Sequence, residues 1–251
     1  MPHLGVLLTS LAADWTNRLW PAWTTDNYLS IAHDPSGLAV TSIKISLLCA
    51  LLSMTFDVIA GFALAYALVR GRIWGGAILD TIAMMPLALP GLILAFGLLI
   101  GYSNTWLDPL NNPVPLLVVS YALRRLPYAL RSVSAGLQQT SIALEEAGAN
   151  LGASKWRVMW QITRPLIMAN LMAAGLLAFA FAVLEVSDSL ILASNENAMP
   201  LAKAIYELSL QTSGGTFQAC ALGVIGMLLL TFTFLVANRL LGKQLGALFK
   251  V

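Results

Sequence analysis

Long apolar runs separated by short polar intervals set the pattern of this chain. The first runs from Leu38 to Val69 and stops at Arg70 and Arg72; others cover residues 77–102, begin again near Val114, and cover residues 166–193 and 217–237. A helix needs about 20 mostly apolar residues to cross a bilayer, so these runs predict an all-α, polytopic membrane helical bundle with about five transmembrane helices. The first run exceeds that length and must tilt or extend beyond the membrane. The second contains Pro86, Pro90 and Gly91. Prolines kink a helix and free backbone carbonyls, which is tolerated where a neighbour or a water-lined cavity satisfies them. That helix is therefore a candidate pore wall, with a merely kinked packing helix as the plainer reading. Gly97 and Gly101 in the same run have the spacing of a close helix–helix contact.

The intervals between the runs differ in character. Residues 4–13 are apolar but too few to span, and with no basic residues ahead and no clear cleavage site they make a poor signal peptide. Residues 14–36 carry Trp15, Trp20, Trp23 and Tyr28, as expected of a segment lying along headgroups. Residues 1–37 are thus expected to be an external or interfacial N-terminal segment. Residues 103–113 form a short polar loop with Asp108. In the polar interval 194–215, LAKAIYELSL is expected to be a short helix that does not cross.

The most distinctive interval is Leu144–Pro165, LEEAGANLGASKWRVMWQITRP, a charged, amphipathic island. Thr140 or Ser141 can cap a first helix with Glu145 and Glu146 near its start, where carboxylates suit the helix dipole. Leu144, Ala147 and Leu151 share one face, with the glutamates turned from it. Gly152 allows a sharp change of direction. Ser154 can cap a second helix bearing Trp156, Met159 and Trp160 beside Lys155 and Arg157, and Pro165 fits the first turn of the next.

At these residues the chain resembles the inner-membrane permease subunits of binding-protein-dependent ABC importers. Their signature reads Glu-Ala-Ala, three residues, Gly, nine residues, Ile, one residue, Leu-Pro. Glu146, Ala147, Gly152, Ile162 and Pro165 match at that spacing, while Gly148 replaces the second Ala and Arg164 the Leu. A glycine at 148 loosens the helix by about 1 kcal/mol relative to alanine. The resemblance implies that Glu145, Glu146, Ala147, Gly148, Gly152, Ala153, Lys155, Trp156, Arg157, Ile162 and Pro165 belong to a cytoplasmic coupling-helix loop that docks on an ATPase. The other reading is an amphipathic helix lying on the membrane surface. YALRRLP, EVSDSLILA and AKAIYEL are similar to segments of the iron, thiamine, putrescine and phosphonate permeases. In that family a complete helix often precedes this start, so a shortened or divergent first helix is expected, with residues 38–251 forming the permease domain.

Composition fits a membrane protein: 58% of the 251 residues are hydrophobic and 10% charged, against roughly 25% charged in soluble domains. Charge placement then orients it. With the island inside, Arg70, Arg72, Arg131, Lys155, Arg157, Arg164, Arg239, Lys243 and Lys250 face the cytoplasm, and Arg18, Lys44 and Lys203 lie outside. This is the positive-inside bias, and it places the C-terminus in the cytoplasm; the resemblance implies that the membrane is a bacterial-type inner membrane. Cys49 and Cys220 sit in apolar runs and read as small core residues. There is no phosphate-binding loop, metal-ligand spacing or nucleophile elbow, so no cofactor, metal, nucleic acid or enzyme activity is expected.

Ionisable residues at membrane depth remain. Arg124 and Arg125 fall about ten residues, or roughly 15 Å, into their span, with Asp57, Glu185 and Asp188 as available partners. Such charges face a partner or a wet cavity. They are either a structural ion-pair network or, with Pro86 and Pro90, part of a translocation path. The arginines favour an anionic solute and the carboxylates a cation; both stay open. The function that the resemblance implies is the membrane-spanning subunit of an ATP-driven importer for a ferric iron, thiamine, polyamine or phosphonate class of solute. As partners the resemblance implies ATPase subunits, a second permease copy or homologue and an extracytoplasmic binding protein, beside the bilayer itself. The alternative is an ion-coupled secondary transporter using the intramembrane carboxylates.

Overall fold

A computed structural model describes residues 2–15, 19–71, 73–195, 198–212 and 214–248. Arg18, Arg72 and Lys250 of the charge pattern lie outside the described residues. In chain order the elements are α1 (Pro2–Ser10), β1 (Ala12–Asp14), β2 (Ala22–Trp23), α2 (Asp26–Ala32), α3 (Leu38–Val69), α4 (Gly76–Ala88), α5 (Gly91–Tyr102) and α6 (Pro113–Gln139). There follow α7 (Ile142–Asn150), α8 (Lys155–Val158), a π-helical turn (Met159–Thr163), α9 (Arg164–Leu166), α10 (Met168–Val183), α11 (Ser187–Leu192), α12 (Leu201–Ser209) and α13 (Gly215–Leu248).

The architecture is a helical membrane bundle, as expected, but the spans are cut differently. By length and apolarity α3 and residues 215–235 of α13 can each cross alone, and two broken pairs qualify when each is taken as one span. The expected span over 77–102 is one such pair. Pro86 stays inside α4, and the helix stops at Leu89, whose extended backbone (φ −90°, ψ 131°) is what a residue before proline adopts. The other pair joins Lys155–Leu166 to Met168–Val183 at a bend of 73°. The expected span over 166–193 accordingly ends at Val183, and α11 is separate. α6 has 27 residues, but Arg124, Arg125 and Arg131 leave it less apolar than these four. The described helices thus supply up to four spans by this measure, one fewer than the sequence pattern.

The chain packs as two compact units, one of residues 1–50, 91–121 and 182–235, the other of residues 51–90, 122–181 and 236–251. In the first, β1 and β2 form a two-stranded antiparallel ribbon that the aromatic pattern of residues 14–36 did not foretell. Asn27 fixes it, donating from Nδ2 to the carbonyls of Ser10 (3.0 Å) and Ala12 (2.9 Å). The short helix expected after residue 194 is α12. Its Leu201, Ala204 and Leu208, at i, i+3 and i+7, pack with Ala219 and Leu222 of α13. In the second unit, Ala129, Leu130, Val133 and Leu137 of α6 pack with Ala65, Ile167 and Ala174. Gly61 permits this approach, since a Cβ there would lie 2.9 Å from the Cβ of Ala129. Gly97 and Gly101, expected at a close contact, have nothing within 4 Å of a Cβ position among the described residues.

Candidate functional site

The island folds as a bent elbow in the second unit. Ser141 is the cap of α7, accepting from the amide of Ala143 at 3.3 Å; Thr140 turns instead to the carbonyl of Gly136. Gly152, at φ +85°, makes the change of direction in a left-handed conformation that a side chain disfavours. Ser154 then caps α8 through the amide of Arg157. A π-helical turn, which the sequence pattern did not disclose, carries the chain on to α9, where Pro165 sits at the first positions as expected.

The two glutamates do not share an orientation. Glu146 is exposed, as are Leu144, Ala147, Lys155, Trp156 and Arg157, while Glu145 is buried. Leu151 is 90% and Trp156 66% exposed, so the elbow shows apolar side chains to its surroundings and keeps one carboxylate for itself. Arg70, just beyond α3, receives that carboxylate: its Nε donates to Glu145 Oε1 at 2.9 Å. Its Nη2 donates to the carbonyls of Leu137 and Thr140, each at 2.9 Å. Those carbonyls lie at the C-terminal end of α6, where helical partners run out. One guanidinium fork therefore ties α3, α6 and α7 together. Sequence reasoning counted Arg70 only as an inside charge, because its partners lie 67 to 75 residues away. Gly148, one departure from the signature, is buried, and a Cβ there would come within 2.5 Å of Ile162 Cδ1. The glycine lets Ile162 pack into α7, so the two signature positions meet. Ala153 is half-buried.

The intramembrane charges divide between the units. Asp57 of α3, with Arg124 and Arg125 of α6, belongs to the second, and Glu185 and Asp188 to the first. Asp57 is fully buried, with neither carboxylate oxygen hydrogen-bonded; the charge of Arg125 acts on it. Arg125 itself is buried and donates through Nη2 to the carbonyl of Phe181 at 2.7 Å. That carbonyl sits in the last turn of α10, again where helical donors are lacking. Arg124 is half-buried. In the first unit, Asp188 accepts from the hydroxyl of Ser120 at 2.5 Å, and its amide donates to Glu185 Oε1 at 3.2 Å. Ser189 donates to the carbonyl of Glu185 and bonds the hydroxyl of Tyr121. The acidic pair thus opens α11 within a hydrogen-bonded group whose hydroxyl members carried no sequence signal. Pro86 is half-buried and Pro90 exposed. No group of three or more metal-ligating side chains occurs among the described residues.

Residues 57–245 match the model of a family described as the binding-protein-dependent transport system inner membrane component. The molybdenum transport system permease protein ModB of Escherichia coli is 29% identical over 231 residues, covering 84% of this chain and 95% of that protein. The putative 2-aminoethylphosphonate transport system permease protein PhnV of Salmonella typhimurium is 23% identical over 248 residues, covering 98% and 90%. Among solved structures, a bacterial ABC transporter involved in the import of the acidic polysaccharide alginate superposes with a TM-score of 0.75 at 18% identity, covering 96% of this chain and 88% of that one.

Proposed function

Because the chain belongs to the family of binding-protein-dependent transport system inner membrane components, we propose that its elbow, Glu145–Pro165, is the docking element for a cytoplasmic ATPase. The chain is the membrane-spanning permease subunit of an ATP-driven importer; it is a transport subunit, with ATP hydrolysis on a separate chain. What carries the docking reading is the division of labour in the elbow. Exposed Leu144, Leu151 and Trp156 offer apolar anchors of the kind that dominate protein interfaces. Buried Glu145 anchors the elbow to the bundle through Arg70. A push on α7 is thereby passed to the end of α3, which bears Asp57, and to α6, which bears Arg124 and Arg125.

The partners on this reading are two ATPase subunits, a second copy or a homologous permease, and an extracytoplasmic binding protein. Residues 1–37 lie on the outer side, residues 38–251 form the permease domain, and the C-terminus is cytoplasmic. Asp57, Pro86, Pro90, Arg124, Arg125, Glu185 and Asp188 border the path. The solute is a small oxyanion: molybdenum in water is molybdate, and a phosphonate carries the same kind of charged oxygens. The two relatives' names and the arginine pair in α6 support that choice.

The test is co-purification of the cognate ATPase with tagged permease, with and without Glu146→Lys. Retention by the wild type and loss in the variant, at unchanged thermal stability, is the expected result; equal retention by both removes the elbow from the interface.

A further inference from the structure

An apolar cleft in the second unit has a cation at its edge. Val58, Ile59 and Phe62 of α3 and Leu171 of α10 line it together with Trp160 and Arg164, enclosing about 380 Å³. Val58 lies eleven residues before the end of α3 at Val69, about 16 Å by helical rise and close to half of the roughly 30 Å hydrocarbon core. The α3 wall, from Val58 to Phe62, covers roughly 6 Å of helix and has its deep end at about the depth of one leaflet. Ile59 is 65% exposed, so this wall is not filled from within the chain.

Arg164 holds its guanidinium 4.7 Å from the centre of the Trp160 ring, and Trp160 in turn packs edge-on against Trp156. Among the described residues no carboxylate pairs with Arg164, and its donors stay available to an incoming anion. Indole rings collect at the headgroup level, and basic pockets between membrane helices take anionic headgroups. The stacking also holds the cation at the cleft instead of leaving it to swing in water.

We propose that this cleft binds one anionic phospholipid, with an acyl chain along Val58, Ile59, Phe62 and Leu171 and the phosphate on the Arg164 guanidinium. The site is separate from the exposed tip of the elbow but lies on the same covalent lever, so lipid charge bears on how firmly α9 and the π-helical turn are held.

Brominated lipids test this directly. Purified protein is placed in phosphatidylcholine nanodiscs containing a minor fraction of brominated phosphatidylglycerol or, separately, brominated phosphatidylcholine. Quenching due to Trp160 is taken as the difference between wild type and Trp160→Phe. Phosphatidylglycerol should quench it about fivefold more effectively, the factor given by one basic side chain meeting an anionic lipid. Arg164→Gln should erase the preference and Arg164→Lys keep it. Equal quenching by the two lipids, no quenching by either because protein covers the cleft, or a preference that survives Arg164→Gln each overturns the assignment.

Discussion

Arg70 serves one carboxylate and two carbonyls with a single planar fork, a geometry that lysine cannot copy. Its side chain and that of Glu145 are only 11% and 10% exposed, so removing one member strands the other. Arg70→Ala should therefore cost roughly 3 kcal/mol of stability, read as a lowered melting temperature in detergent. Arg70→Lys should fall between variant and wild type, keeping the charge but losing the fork. A wild-type melting temperature for Arg70→Ala would show that the three contacts carry no weight. Asp57 is the contrasting case: it is a fully buried carboxyl with no hydrogen bond, and its burial is a property of packing that no local pattern announces.

At the scale of elements, the elbow depends on one backbone conformation. Gly152 sits at φ +85° with open space around it, so alanine there meets strain and no clash. Gly152→Ala should cost about 1–2 kcal/mol and turn α8 away from its position relative to α7. Weakened ATPase retention with only a small fall in melting temperature is the expected pair of readings; unaltered retention would mean that the bend does not set the docking geometry. The breaks at Leu89–Pro90 and after Val183 are of another kind. The first is enforced by proline chemistry. The second has no breaker residue, and it persists with Arg125 on the carbonyl of Phe181 and with Glu185 and Asp188 bonded around the start of α11. For that reason residues 166–193 read as one span in sequence and fold as two helices.

For the molecule as a whole, the proposed orientation puts the elbow and the C-terminus on the cytoplasmic side. In a cysteine-free background, Trp156→Cys should react with an impermeant thiol reagent in inside-out vesicles and resist it in intact cells; the reverse pattern would invert the topology and remove any cytoplasmic docking. Apolar runs, the charge pattern and the residues from Glu146 to Pro165 determined from the sequence alone that the chain is a helical membrane subunit with an elbow between spans. They did so because membrane crossing and helix capping are written in neighbouring residues. The tertiary structure alone decided which glutamate faces inward, the break after Val183, that Gly148 receives Ile162, and that the intramembrane charges fall into two groups. Each of those outcomes depends on partners several helical turns or more away in sequence, and burial and hydrogen-bond satisfaction are settled only once those partners are brought together.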